Sequence, residues 1–192
     1  MSGADQRSTG GANTPPGLDT PAEKVLKPAL RLLSRRSRSI KEMRERLRKK
    51  GISPADVSHC IRWLEERRLL DDEAFARALT RDRIRFSPRS PFLISTELGK
   101  KGVAGHLATR AIDQVLEEEG LQGRELAAQA AQGWVRRQSP ATRADLLAER
   151  FSEDREKVRR RLYGFLSRRG FRGDEARRGM EVGEETAREL KD

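Results

Sequence analysis

One six-residue pattern occurs three times in this chain and constrains its fold more than any other feature. The pattern is a Leu, any residue, two basic residues, a Gly and an apolar residue, and it starts at Leu47, Leu98 and Leu166. Gly after basic residues is typical of a helix C-terminus, because Gly adopts the left-handed conformation without strain and cations face the negative end of the helix dipole. The apolar residue should then contact the Leu, as in a Schellman motif. The structural repeat glycines are Gly51, Gly102 and Gly170.

Three helix ends with the same sequence pattern predict three copies of one structural unit. Ser39 and Ser53 precede amphipathic segments as candidate N-caps, and Asp71 does the same for a third segment. The first helix is expected at 28–36, with Pro28 in its first turn and Leu30 on its apolar side. No segment alternates apolar and polar residues with strand periodicity. The fold is therefore predicted to be all-α, a tandem array of three three-helix repeats.

Composition and helix stops divide the chain. Its N-terminal end is rich in Gly, Ser, Thr and Pro, which is typical of a disordered tail. The last predicted helix, at 172–183, is weak, and the residues after it are expected to fray. The expected divisions are a disordered tail at 1–24, repeats at 25–69, 70–120 and 121–183 with an extra segment near 139–152, and a frayed tail at 184–192.

The charge of the chain is strongly positive and unevenly distributed. The formal net charge is +11 and the isoelectric point is about 10.6. Residues 26–110 hold 22 basic and 10 acidic residues, whereas residues 111–192 hold 17 of each. Such a surplus favours a polyanionic partner, which could be a nucleic acid, an acidic protein face or a membrane surface. A solvated surface without a partner is the alternative.

The sequence contains no recognisable catalytic set. No phosphate-binding loop is present, and His59 and His106 have no partners at metal-ligand spacing. The single cysteine, Cys60, excludes an intrachain disulfide. No apolar run is long enough to span a membrane or to act as a signal peptide. We therefore expect a cytoplasmic protein that is not an enzyme, with no catalytic residues, metal or cofactor.

The candidate binding surface is cationic. Lys41, Arg44 and Arg48 share the helix face opposite the apolar stripe, and like charges on one face oppose folding unless an anionic partner is present. Arg136, Arg137 and Arg143, in the balanced half of the chain, are expected to contribute less. The candidate residues for partner or nucleic-acid binding are Arg35, Arg36, Arg38, Lys41, Arg44, Arg48, Lys49, Lys50, Arg81, Arg85, Arg89, Lys100, Lys101, Arg168 and Arg169.

Several stretches resemble the RecX regulatory proteins of bacteria. They are Ser39–Ile52 with its Lys-Lys-Gly-Ile ending, Leu69–Ala76 (Leu-Leu-Asp-Asp-Glu-Ala-Phe-Ala), Glu97–Val103, and Leu162–Phe171 with its Tyr-Gly-Phe-Leu and Arg-Gly-Phe segments. The resemblance covers about residues 26–182. It departs from the family at Ser90–Ile94, where a basic, Gly-containing segment is usual and an apolar contact is expected instead.

The resemblance implies an elongated, curved array of three three-helix repeats. It further implies a protein that binds the RecA recombinase filament along its groove and modulates, most often by inhibition, its ATPase and strand-exchange activities in recombination, DNA repair and the SOS response. Contacts with single-stranded DNA are expected to be weak, either direct or through the filament. We expect a monomer that has no membrane partner.

A DNA-binding protein, either sequence-independent or of the helix-turn-helix type, is the alternative interpretation. Three-helix units with basic second helices are compatible with it. However, the basic residues lie at helix C-termini, whereas recognition helices contact bases mainly with their N-terminal residues. Asn13, in the predicted tail, is also the only Asn in the chain, so this common reader of adenine is scarce.

Overall fold

The computed structural model describes residues 19–191 of the chain. Within that range the chain forms ten α-helices and no strand, which confirms the predicted all-α class. The helices are α1 (Glu23–Leu33), α2 (Ile40–Arg48), α3 (Pro54–Glu66), α4 (Asp72–Phe86), α5 (Pro91–Lys100), α6 (Gly105–Glu118), α7 (Gly123–Arg136), α8 (Pro140–Leu146), α9 (Glu153–Arg168) and α10 (Gly173–Glu189).

Side-chain N-caps set the start of six of these helices. The hydroxyl of Ser39 accepts a hydrogen bond from the Glu42 amide at 3.1 Å, and Ser53 accepts one from Asp56 in the same way. The carboxylate of Asp71 accepts from two amides of α4, which satisfies two of the unpaired N–H groups of a helix N-terminus. The serines that cap α5, α8 and α9 are Ser90, Ser139 and Ser152.

The three repeat glycines end α2, α5 and α9 in the left-handed conformation, as the sequence predicts. Their φ angles are 76° for Gly51, 86° for Gly102 and 86° for Gly170. After Gly102, the Val103 amide donates to the Leu98 carbonyl at 3.1 Å, and the Phe171 amide makes the equivalent bond to Leu166 at 3.1 Å. These 6→1 bonds define the Schellman motif. Ile52 packs against the core cluster that contains Leu47.

The helices bury three apolar cores. The first lies among α1, α2 and α3, around Met43 and Leu64, and the second lies among α4, α5 and α6. The third lies among α7, α8, α9 and α10, and it also takes in Ile84 of α4 and Val115 of α6. Most helix packing therefore occurs inside a unit, as expected for a repeat array. We call the three groups of helices units 1, 2 and 3.

The N-terminal end of the fold differs from its sequence prediction. Residues 1–18, most of the predicted tail at 1–24, lie outside the described residues, and α1 begins at Glu23 rather than at Pro28. Val25 and Ala29 are buried one turn apart, whereas Leu30 is 41% exposed. Burial of Val25 stabilises an additional turn of helix, and Pro28 lies inside α1 even though it lacks an amide donor.

The C-terminal end also differs, because residues 184–189 are helical instead of frayed. Helix α10 buries Gly183, Thr186 and Ala187 as well as residues nearer its start. A Cβ atom at Gly179 would lie 2.9 Å from Leu166 Cδ1, and one at Gly183 would lie 2.7 Å from Leu162 Cδ2. Glycine thus allows α10 to approach α9 closely, although on propensity alone it would weaken a helix. The predicted extra segment contains α8, a helix that buries Leu146.

Candidate polyanion-binding surface

Units 1 and 2 meet where the N-terminus of α2 lies against the C-terminal end of α5, which we call the first junction. The hydroxyl of Ser39, a fully buried residue, donates to the Lys101 carbonyl at 2.7 Å while it caps α2. The Ile40 amide donates to Asp72 at 2.8 Å, and Lys41 Nζ donates to the Lys100 carbonyl at 3.1 Å. Side chains and backbone of unit 1 thus satisfy polar groups at the start of α4 and the end of α5.

Units 2 and 3 meet in a similar way at what we call the second junction. The Ser90 amide, at the N-cap of α5, donates to the Arg169 carbonyl at the end of α9 at 2.9 Å. A Cβ atom at Gly170 would overlap Ser90 Oγ and lie 2.9 Å from Leu93 Cβ, and one at Gly102 would lie 2.6 Å from Lys41 Cβ at the first junction. Each repeat glycine of units 2 and 3 therefore touches the capped end of the preceding unit.

The first junction contains a partly buried ion-pair network. Glu42 pairs with Arg36 Nη1 at 3.0 Å and with Lys101 Nζ at 2.9 Å, and its side chain is 18% exposed. Burial by itself raises the pKa of Glu42, but the hydrogen bonds from Arg36 and Lys101 outweigh burial and lower that pKa to about 2. Arg36 and Lys101 are therefore engaged within the protein.

Replacing Glu42 by Gln should lower stability in a pH-dependent way. Because the folded pKa of Glu42 lies below its unfolded value, its contribution is complete above about pH 4.5 and declines as pH falls toward 2. We expect Glu42→Gln to reduce the free energy of unfolding by roughly 1–2 kcal/mol at pH 6, since solvent screening of the half-exposed Arg36 limits the effect. Urea unfolding of both proteins between pH 2 and 6 measures the difference, and a difference that is independent of pH contradicts this assignment.

Six of the predicted binding residues are engaged in internal contacts. Arg38 is only 9% exposed and donates from Nε to the Leu32 carbonyl at 3.2 Å, and burial lowers its pKa. It supports the turn before α2 rather than offering a charge to a partner. The other five make ion pairs with carboxylates, and they are Arg36, Arg81, Arg85, Arg89 and Lys101.

Other predicted residues keep their charges available to a partner. Lys41 is exposed although Nζ is bonded to a carbonyl, and Arg44 is half-buried. Neither of them makes an ion pair with any residue in the range 19–191. The following residues are exposed and have no ion-pair partner in the described part of the chain: Arg35, Arg48, Lys49, Lys50, Lys100 and Arg168.

Two of these residues line a surface groove with cations from α1. We define the basic groove by Lys24, Lys27, Arg31, Arg35 and Lys50, which lie along one depression between α1 and the end of α2. The ion pairs of Lys24 and Lys27, at 3.6 and 3.5 Å, are well exposed and contribute little stability, so a stronger anion can replace them. The helix predicted at 28–36 left out Lys24 and Lys27, and Arg31, although inside the predicted helix, was not among the candidate binding residues. Their i, i+3, i+7 spacing was the available signal.

A second group of cations lies at the second junction. We define the arginine cluster by Arg89, Arg137, Arg168 and Arg169. Burial lowers the pKa of Arg169, and the positive charges of the other three lower it further. The Arg169 guanidinium also lies over the Phe165 ring, 4.2 Å from its centroid. The sequence assigns Arg137 to an electrically balanced half of the chain, but the structure places it among three other arginines.

The chemistry available at these sites is electrostatic. In the part of the chain that the structure describes, no three His, Cys, Asp or Glu side chains come together as a metal site. Nor does any helix between residues 19 and 191 have the length and apolar character needed to cross a membrane. Guanidinium and ammonium groups can hold phosphate or carboxylate groups.

Comparison with solved structures supports the fold. A crystal structure of RecX from Lactobacillus salivarius superimposes with a TM-score of 0.57 at 22% identity, covering 84% of this chain and 95% of that one. A second crystal structure, of a regulatory protein RecX, gives a TM-score of 0.59 at 22% identity, with coverage of 80% and 70%. At this level of identity, the likeness establishes a shared arrangement of helices.

Comparison with protein families and with relatives of similar sequence identifies the family of this chain. The family described as RecX, first three-helix domain, matches residues 29–64, and the RecX second three-helix domain matches residues 71–112. Regulatory protein RecX of Halorhodospira halophila is 32% identical over 164 residues, which are 85% of this chain and 91% of that protein. The RecX protein of Oceanobacillus iheyensis is 37% identical over 90 residues, 47% of this chain and 33% of that longer protein. The chain therefore belongs to the RecX family of regulatory proteins, which are not enzymes.

Proposed function

We propose that this protein binds the RecA–DNA filament and lowers its ATPase and strand-exchange activities, as a cytoplasmic monomer that acts in recombination and DNA repair. Membership of the RecX family supports RecA as the partner. The observation that carries the proposal is the pair of glycine junctions. They join adjacent units through hydrogen bonds, and the array carries the basic groove on unit 1 and the arginine cluster where units 2 and 3 meet.

Separate cationic sites on one array suit a partner that repeats. A filament presents equivalent surfaces at regular intervals, and a second contact made by an already bound molecule occurs at a high effective concentration. One protein can then bridge neighbouring filament subunits even when each contact is weak. Bridging of this kind restrains the filament changes that accompany ATP hydrolysis, so inhibition is the expected outcome.

The helix-turn-helix alternative has less support from the geometry. A recognition helix contacts bases through its N-terminal residues. Helix α3 has Asp56 in its first turn, and α6 begins with Gly105 and has no Lys or Arg in its first turn. Three of the free cations of unit 1, Arg48, Lys49 and Lys50, lie instead at the C-terminal end of α2. This arrangement favours contacts with phosphate or carboxylate groups over reading of base edges.

An ATPase assay tests the proposed function. RecA from the same organism hydrolyses ATP on single-stranded DNA, and this protein is titrated into the reaction. We expect a clear decrease in rate at fewer than one molecule per RecA subunit, because each molecule bridges several subunits. An unchanged rate at a several-fold molar excess over RecA would sink the proposal, and so would a rise in rate.

A further inference from the structure

The arginine cluster has a definite position on the second junction. The rings of Trp134 on α7 and Phe165 on α9 pack with their centroids 6.3 Å apart. Arg137 and Arg169 follow these aromatic residues by three and four positions, so each lies about one turn further along its helix. The Arg169 backbone carbonyl accepts the Ser90 amide, which places Arg89 at the same point. Three segments of the chain therefore bring their arginines to one place.

The positive charge of the cluster is not balanced within the protein. Arg89 pairs with Glu97 at 2.8 Å, but Glu97 also binds Arg83 through both carboxylate oxygens. Arg137, Arg168 and Arg169 have no ion pair with any described residue, and Arg169 Nε is buried without a hydrogen-bond acceptor. The C-terminal ends of α7 and α9 supply together about one negative charge through their dipoles. Roughly two positive charges remain for an external anion.

Two exposed aromatic residues lie close to Arg89 along the chain. Phe86 is 82% exposed and Phe92 is 70% exposed, the latter at the start of α5. Each lies three residues from Arg89, so its Cα atom is within about 11 Å of that of Arg89. Neither ring belongs to an apolar core, although leaving a ring in water forgoes the stabilisation that burial would provide.

We propose that the arginine cluster together with Phe86 and Phe92 forms a binding site for a short segment of single-stranded nucleic acid. The guanidinium groups bind consecutive phosphates, and the two rings stack on unpaired bases. A duplex keeps its bases stacked inside and offers nothing to the rings, and an acidic peptide lacks flat aromatic faces. This inference deepens the proposed function and rests on it, since it identifies where the DNA strand of the filament contacts the protein.

Direct binding of an oligonucleotide, without RecA, tests the site. The probe is fluorescein-labelled oligothymidylate of about 15 nucleotides, the upper range for one binding module, and anisotropy is measured at several salt concentrations. We expect Arg137→Gln with Arg168→Gln to lower the salt slope by about 1.4 units, because each lost phosphate contact removes about 0.7. Phe86→Leu with Phe92→Leu, which keeps apolar side chains but removes the rings, should weaken binding about tenfold.

The matched control is Arg110→Gln with Arg124→Gln, which removes the same charge from exposed residues without ion pairs in the described chain. Arg124 lies 13 residues before Arg137, about 20 Å along the helix. An equal loss in both arginine pairs overturns the site, because net charge would then explain binding. Wild-type affinity in the Phe86/Phe92 variant would also overturn the site. So would displacement of the probe by polyglutamate at lower concentrations than by unlabelled oligothymidylate. Since RecA is absent, these outcomes are independent of the ATPase test.

Discussion

Alanine at the junction glycines should destabilise the protein much more than alanine at Gly51. All three glycines have φ between 76° and 86°, a conformation that costs other residues about 1–2 kcal/mol. Of these three glycines, only Gly51 has open space where a Cβ atom would lie. At Gly102 and Gly170 a new Cβ would also press on the preceding unit, and overpacking of this kind costs typically 1–3 kcal/mol more. We expect losses of about 1 kcal/mol for Gly51→Ala and about 2–4 kcal/mol for the other two.

Urea unfolding followed by circular dichroism measures the three values. The comparison is internally controlled, because each substitution adds the same methyl group at the same kind of helix end. Gly170→Ala should also loosen the Ser90–Arg169 hydrogen bond, since the methyl group would displace the Ser90 hydroxyl. Equal losses of unfolding free energy at all three positions would show that the junctions accommodate the added methyl group without destabilisation. The glycines would then matter only for backbone conformation.

The sequence alone was sufficient to predict the ends of α2, α5 and α9 and the starts of α2, α3 and α4. Local rules control both: a Ser or Asp side chain satisfies free amides at a helix start, and a glycine accepts positive φ at its end. The contacts between units at the two junctions could not be predicted from such local rules. Lys50-Gly51 and Lys101-Gly102 are identical dipeptides, yet one is open and the other touches Lys41 of another unit. Contacts between residues about 60 positions apart do not follow from local sequence.

The error at α10 has a related cause. The sequence predicts a weak helix at 172–183 and frayed residues after it, and Gly179 and Gly183 lower the helix propensity of this segment. In the structure their lack of side chains lets α10 pack against α9 and α7, and that tertiary packing outweighs the local cost. A small residue recurring four positions apart indicates close helix approach as readily as it indicates a weak helix, and the two interpretations cannot be separated without the neighbouring helix.

The binding residues show the limit of counting charges. Residues 26–110 hold the positive surplus, but internal carboxylates engage Arg36, Arg81, Arg85 and Lys101 in that segment. Conversely, the balanced half contributes Arg137, which has no ion pair among the described residues, to a cluster of four arginines. Net charge over a stretch of sequence therefore predicts that a polyanion binds, and pairing in three dimensions decides which cations can bind it.

Neutralising Arg48, Lys49 and Lys50 should weaken binding to RecA–DNA filaments about tenfold or more. These residues are exposed at the end of α2 and have no ion-pair partner in the described chain, so their charges are available to the filament. Lys41 is left unchanged, because its Nζ donates a hydrogen bond to the Lys100 carbonyl and its side chain lies next to Gly102 in the first junction. Glutamine keeps helix propensity and side-chain length while removing the charge. If all three residues contact phosphates of the strand, the salt slope should fall by about 2 units.

The control removes an equal charge at Arg110, Arg124 and Arg160, which are exposed and unpaired within residues 19–191. Binding of both triple variants to preformed filaments is measured by sedimentation at two salt concentrations, and thermal melts confirm that both are folded. We expect the control to lose less than about threefold, since screening weakens charges that lie more than a Debye length, about 8–10 Å, from the partner. Equal losses would mean that the end of α2 is no special contact and that overall charge alone attracts the protein to the filament.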